Sequence, residues 1–340
     1  MKREGSSGGR ARGETRVSKN SLVSIDAIRE AARGLVGVAE RTPLVRVSAL
    51  TDLAGVPVYL KLENAHPTGA FKLRGAWTAI RRLPDERRER GVLTYSSGNH
   101  GQAVSFAAKR VGVRAVIVMP ETAPQLKVDR VKHWGGEVVF AGTTSEDRYN
   151  KGMELAESEG LAVIPPYDHP DIIAGQGTVG LEIAEQLPEV AHVAVPVGGG
   201  GLAAGVTTAM AALTPGVRVT GVEPEGADGF NRALAVGHPV RLERSASIAD
   251  GLLPLSVGTI TFKHLKDRAD GAIVTDEAIA EATLWLRSTA QVMAEPSGAV
   301  TTAALRSGAI EPAGPTVLVV SGGNADPAVI AALSHDLGLS

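Results

Sequence analysis

From Val56 onward the chain alternates between short, continuous apolar runs and longer segments whose apolar positions recur every three or four residues. "VPVYLKLE", "GVLTYSS", "RAVIVMP", "EVVFAG" and "LAVIPP" read as strands in the first half, and "HVAVPVGGGG", "RVTGVEPE", "GAIVT" and "TVLVVSGG" in the second. Helix-period sequence lies between them: a stretch beginning near Ala70, "NHGQAVSFAAKRVG", "PQLKVDRVKHWG" and "LAAGVTTAMAAL". Strands apolar on both faces and separated by helices predict parallel sheets covered on both sides. The runs are too numerous for one sheet, so the expectation is an α/β protein with two open, mostly parallel sheets flanked by helices. No tandem repeat and no internal low-complexity linker interrupts the pattern.

Composition narrows the chemistry. The 340 residues are 44% hydrophobic and 21% charged, which supports a real core. Lys plus Arg number 35 against 37 for Asp plus Glu, a net charge of −2, and aromatics are 4%. That balance gives no case for a nucleic-acid or anionic-membrane partner. The absence of cysteine excludes disulfides, thiolate metal sites and cysteine nucleophiles, and fits a cytoplasmic setting. No uninterrupted apolar run is long enough to span a bilayer. Residues 1–20 are basic, Gly/Ser-rich and lack an apolar stretch, so they read as a disordered N-terminal extension rather than a secretory signal.

In open sheets of this kind ligands bind beyond the carboxyl ends of strands. Four segments follow or adjoin strands: "GAFKLRG", "SSGNHG", "VGGGGLAAG" and "SGGNAD". Gly198, Gly199, Gly200 and Gly201 remove every Cβ between a strand and a helix, so backbone N–H groups can converge on a phosphate at a helix N-terminus. A tight turn is the plainer alternative, yet one glycine would serve that purpose. No G-K-[ST] follows, and the dinucleotide fingerprint is poorly matched. Ser96 or Ser97 alone is a helix cap, but Asn99 and His100 add donors suited to a carboxylate. Lys72 lies between Phe71 and Leu73, two apolar side chains read as walls that keep its amine dry. Arg74 is read as facing away with a structural role. A surface lysine is the alternative, but a desolvated amine is a nucleophile and base. A phosphate cradle plus such a lysine points to pyridoxal phosphate (PLP).

Taken together, "TGAFKLRGA", "SSGNHGQAVSFAAK", "IAGQGTVGLEI", "VGGGGLAAG", "GVEPEGAD", "IADGL", "EPSGA" and "VVSGGN" resemble the motifs of the serine/threonine dehydratase and serine racemase family, from about Ile25 to Asn324. These are PLP enzymes of the tryptophan synthase β-like fold, fold type II. The resemblance implies that Lys72 holds the cofactor as a Schiff base and serves as general base, with Phe71 packing on the cofactor. Asn99 would meet the ring hydroxyl, Gly198 to Gly201 and Leu202 the phosphate, and Ser321 the pyridine nitrogen. Ser96, Ser97, Asn99 and His100 would hold the substrate carboxylate, and Arg148 stands where a closure arginine occurs in some members. It further implies a large domain of residues 21–90 plus 169–340, a small domain of 91–168 carrying the carboxylate loop, and a homodimer.

The implied activity is dehydration of a small β-hydroxy amino acid such as L-threonine or L-serine to a 2-oxo acid and ammonia. Ser97 also permits a racemase on the same scaffold; a β-replacement synthase and a non-catalytic ligand-binding protein are further alternatives. Two departures stand out: residue 70 is Ala where serine is common, and Gly229 replaces a carboxylate where some members bind a divalent cation (Mg or Ca) with residues matching Glu223 and Ala227. Glu223 then reads more readily as a strand-end carboxylate bonding local backbone N–H groups than as a cation ligand. The pocket wall is expected from "PPYDHP" and "DGLLPLS". The chain ends soon after the last motif, so a catabolic, degradative or specialised-metabolism enzyme without a C-terminal regulatory domain is expected.

Overall fold

The computed structural model of the chain describes residues 22–96 and 98–336; the N-terminal extension expected over residues 1–20 lies outside the described residues. Its strands are β1 (Leu44–Arg46), β2 (Val58–Leu62), β3 (Val92–Thr94), β4 (Ala115–Met119), β5 (Glu137–Phe140), β6 (Ala162–Val163), β7 (His192–Pro196), β8 (Arg218–Pro224), β9 (Asp270–Val274) and β10 (Thr316–Val320). All nine apolar runs form strands. The additional β1 is short, partly exposed and antiparallel to β2.

Two sheets result, ordered β1-β2-β10-β7-β8-β9 and β5-β4-β3-β6. Apart from β1–β2, every pairing is parallel. Alternate residues of the first sheet face two cores. Val193, Val195, Val317 and Val319 meet Ile173, Val179 and Val206 on one side, while Ala194, Leu318 and Val320 meet Ile279, Leu286 and Val300 on the other. Burial of both faces is why these strands are continuously apolar.

The strand order reverses at one place in each sheet: between β7 and β10 in the first, and between β3 and β6 in the second. Such switch points leave a crevice beyond the carboxyl ends of the strands. One crevice is bordered by the segments after β7 and β10, the other by those after β3 and β6.

Three helices link the sheets. The Lys72–Arg81 helix starts two residues later than expected, because Ala70 forms an antiparallel bridge with Gly322 and Phe71 N donates to Ser321 O at 3.1 Å. Further along, Ala76, Ala79 and Ile80 enter the core of the second sheet beside Ala103 and Ile117. The Pro170–Gln186 helix crosses it at Gly175, where a Cβ would lie 2.5 Å from Arg74 O. It also meets the Gly201–Leu213 helix through Gly177 and Gly205, again with no room for a side chain.

A buried charge network locks this arrangement. Arg74 is 1% exposed, and its guanidinium donates to Glu63 through Nε (2.7 Å) and Nη2 (2.9 Å) and to Glu182 through Nη1 (2.6 Å) and Nη2 (3.0 Å). Lys61 Nζ joins it, donating to Glu182 Oε2 (2.5 Å), Gln186 Oε1 (2.8 Å) and Thr42 O (2.8 Å). Burial alone would raise the Glu63 carboxyl, but the Arg74 guanidinium and His66 hold it well below the usual carboxylate range. Removing one partner of a buried pair strands the other charge. Arg74→Ala should therefore lower stability by about 3–5 kcal/mol, read as the shift in urea unfolding; a loss within the range of an exposed pair would contradict this role.

His264 anchors the start of the described chain. Val23 N–H can only donate, so the ring Nε2 it reaches at 3.1 Å must be unprotonated. Nδ1–H then donates to Thr208 Oγ1 (2.8 Å), whose own hydrogen goes to Ala204 O (2.7 Å). Burial, with help from Arg268, pushes this imidazole down to about 4. The neutral ring is favoured in the fold, so its contribution is fully present above the ordinary value of 6.5 and is lost as pH falls toward 4. Stability of the wild type should drop relative to His264→Asn by up to about 3 kcal/mol between neutral and pH 4; parallel pH profiles would refute the assignment.

Candidate active site

Both crevices open into one cavity of about 620 Å³. The first sheet contributes the glycine loop after β7 and Ser321 after β10, and the second contributes Ser96, Asn99 and His100 after β3 with Pro166 and Tyr167 after β6. Lys72 lines it from the first residue of its helix. Its Nζ donates to Pro166 O at 2.8 Å and lies 5.1 Å from the centre of the Phe71 ring. Burial lowers the amine to about 8. Leu73, expected as a second wall, turns away into a separate apolar cluster with Leu35 and Phe106. Successive helical residues point about 100° apart, so Phe71 and Leu73 cannot both flank the amine.

The glycine loop is bare backbone held open. A Cβ on Gly199 would fall inside the Tyr167 ring, and Gly200 sits at φ +88°, which favours glycine. The Gly199 carbonyl is drawn outward by Gly258 N (3.1 Å) and Thr261 Oγ1 (2.8 Å). Among the described residues no hydrogen bond takes up the N–H groups of Gly198, Gly199 or Gly200, and the Gly201–Leu213 helix begins there without a side-chain cap. Free donors at a helix N-terminus fit a phosphate. Leu202 lines the same end of the cavity.

Among the described residues the Asn99–Val111 helix likewise has no side-chain cap, and none of them takes up its first N–H groups. His100 is polarised in a defined way: its Nε2 contacts Ile164 O at 3.0 Å and must carry the hydrogen, since a carbonyl only accepts. Burial and the nearby Lys72 charge push the ring down to about 3, so Nδ1 is a bare acceptor, and it has no partner. His100 can therefore offer a carboxylate its backbone N–H but not its imidazole. Arg148 reaches the cavity from the helix Ser145–Glu159, donating to Ser145 Oγ at 2.8 Å while its Nε has no partner. Ser321 Oγ faces Ser297 O at 3.4 Å and is 4% exposed. Ser97 lies outside the described residues.

Glu223 is committed elsewhere. Its carboxylate accepts from Phe230 N (2.8 Å), Asn231 N (2.9 Å) and Asn231 Nδ2 (2.9 Å), while Asp228 pairs with Arg232 (2.8 Å). Ala227 is the one buried residue of the turn Glu225–Ala227, and Gly229 opens the next helix. Among the described residues no three or more His, Cys, Asp or Glu side chains gather as a metal-holding group, and Glu223 spends its carboxylate oxygens on main-chain and amide donors.

Several cavity residues carry no signal of their own in the sequence. Gln176 is 1% exposed with both amide atoms unpartnered, and Glu295 and Asn324 bond Asn99. They stand inside "AGQGT", "EPSGA" and "VVSGGN", where the recurrence of polar residues among glycines was the available clue. The opposite wall is formed by Tyr167 and by Leu253, Pro254 and Leu255.

Residues 37–322 match the family described as pyridoxal-phosphate dependent enzyme. The chain is 40% identical over 306 residues to an L-threonine ammonia-lyase of Thermotoga maritima, covering 90% of this chain and 76% of that one. It is 38% identical over 299 residues to an L-threo-3-hydroxyaspartate ammonia-lyase of Saccharomyces cerevisiae, covering 87% and 92%. The structure of maize serine racemase superposes with a TM-score of 0.88 at 36% identity, covering 93% of this chain and 98% of that one. A buried lysine amine facing an open glycine cradle, carried on two parallel sheets, suits the cofactor that this family shares, and the chain belongs to the PLP-dependent enzymes of fold type II, the family that includes threonine dehydratases and serine racemases.

Proposed function

We propose that the protein is an ammonia-lyase that removes the β-hydroxyl and amine of a small hydroxy amino acid such as L-threonine or L-serine, yielding a 2-oxo acid and ammonia. The observation that carries this reading is Lys72, a buried amine brought to about 8 at the cavity wall, within reach of neutral-pH base chemistry. When bound, PLP supplies an electron sink that acidifies the substrate's α-carbon. In this reading Lys72 binds it covalently, Phe71 packs on it, the Gly198–Leu202 segment holds its phosphate and Ser321 faces its ring nitrogen. A hydroxyl there, unlike a carboxylate, leaves that nitrogen unprotonated and limits how long negative charge resides on the ring.

The chain's own groups then divide the work. Free N–H groups at the start of the Asn99–Val111 helix take the substrate carboxylate, with Ser96 beside them and Arg148 closing from the cavity wall. The Lys72 amine is the group that would accept the α-proton. The β-hydroxyl departs with a proton as water, and the released enamine takes up water to give the 2-oxo acid and ammonia. The wall of Leu253, Pro254 and Leu255 suits the methyl of threonine. In this assignment residues 21–90 with 169–340 form the cofactor domain and 91–168 the substrate domain. Serine racemisation is the second reading, favoured by Ser97 and by the likeness to maize serine racemase.

Holoenzyme given L-threonine or L-serine should release ammonia and 2-oxo acid, with turnover falling by at least about a hundredfold in Lys72→Ala. D-amino acid formed without 2-oxo acid would replace this reading with the racemase. Gly199→Ala forces a methyl group into the Tyr167 ring, so its affinity for PLP, titrated by fluorescence, should weaken by about tenfold or more; unchanged binding would remove the cradle from the phosphate site.

A further inference from the structure

A chain of amides with forced polarity crosses the cavity between the two sheets. It starts at Thr68 O, a backbone carbonyl that can only accept. Asn324 Nδ2 lies 2.7 Å from it, which fixes the Asn324 amide, and the same Nδ2 donates to Asn99 Oδ1 at 2.8 Å. Asn99 must then turn its own Nδ2 the other way, where it meets Glu295 Oε1 at 2.6 Å. Each orientation follows from the one before, with no free choice of amide flip.

Glu295 closes the chain. It is 6% exposed and precedes the Pro296–Arg306 helix, and its Oε1 occupies the space that a Cβ on Gly322 would need. One carboxyl oxygen accepts from Asn99; the other has no hydrogen-bond partner among the described residues. The Asn99 amide likewise has a second N–H that none of the described residues takes. Both residues line the cavity with Lys72 and Ser321. PLP offers two anionic acceptors, its phosphate and its ring phenolate. The phosphate suits the glycine cradle, and the family resemblance implies that the ring phenolate meets the Asn99 amide, a placement that rests on the proposed function.

We infer that Glu295 is a positioning residue of this site: its carboxyl orients the Asn99 amide toward the phenolate of bound PLP, and binding of that anion favours the carboxyl's neutral form. A second negative charge beside the phenolate would repel it in a water-poor setting, so binding and protonation are linked. Burial, reinforced by Asp250, pushes Glu295 up to about 7, against the opposing pull of the Asn99 bond, Lys127 and Arg130. Those charges are largely engaged: Lys127 pairs with Asp250, and Arg130 donates to Asn324 O at 2.8 Å. The sign follows directly. Glu295 holds its proton below its raised value and loses it above, so its contribution to PLP affinity declines as pH rises through neutrality.

The test measures PLP binding to the apoprotein from pH 6 to pH 8.5 and needs no turnover, so it stands apart from the lyase assignment. Glu295→Gln keeps an acceptor toward Asn99 and puts an N–H where the acid's proton would be, but cannot titrate. The ratio of wild-type to Glu295→Gln dissociation constants should rise by about tenfold across this range, with the absorption band of bound PLP changing in step in the wild type alone. Using the ratio cancels the titration of Lys72, common to both. Glu295→Leu, checked for folding by its thermal melt, should bind PLP about tenfold more weakly than Glu295→Gln at every pH. A ratio that stays flat with pH, or a Leu variant that binds as well as the Gln variant, overturns the inference.

Discussion

The arrangement depends on what Arg74 requires. A guanidinium with 1% exposure cannot remain in a fold unless its donors are met, and here two carboxylates from distant segments meet them. Glu63 follows β2 and Glu182 lies on the Pro170–Gln186 helix, so the charge ties a sheet strand, a crossing helix and the Lys72–Arg81 helix at one point. Lys72 is two residues away. Its placement is therefore set by a polar lock behind it and by the Ala70–Gly322 bridge in front, rather than by contacts of its own amine.

How much of this could be read beforehand varies with the range of the interactions involved. Nine strands were legible because burial on both faces leaves an unbroken apolar run, whereas β1 was not, since its side chains are partly exposed and it spans three residues. The glycine loop, Lys72 and the Ser96–His100 segment stand out because each gathers unusual residues within a few positions. Glu295 gives no such signal: before Pro296 it looks like an ordinary residue at a helix start. Its meaning arises from Asn99, 196 positions away. Arg74 likewise reads as structural, but its partnership with Glu182 spans 108 positions and no local pattern announces it. Leu73 departs from the expected wall because adjacency in sequence is not adjacency on a helix.

The cavity itself is built chiefly from main-chain groups at switch points. Four glycines and two uncapped helix starts supply fixed donors. Two of the titratable groups that border the space are oriented by fixed dipoles, His100 by Ile164 O and Glu295 by an amide chain that ends on Thr68 O, while burial sets their protonation. Dipoles fixed by backbone need no reorganisation when charge moves in the site.

The glycine contacts between the three linking helices carry an evolutionary consequence. Where Gly175 meets Arg74 O, and Gly177 meets Gly205, the helices touch through bare backbone, so no single substitution can be absorbed by a change of rotamer. Sequence drift in that stack would demand concerted movement of three helices at once. Diversification of such a scaffold is thereby channelled outward to the loops that cap the crevices, among them the Leu253–Leu255 wall, where side chains border the cavity without entering the helix stack.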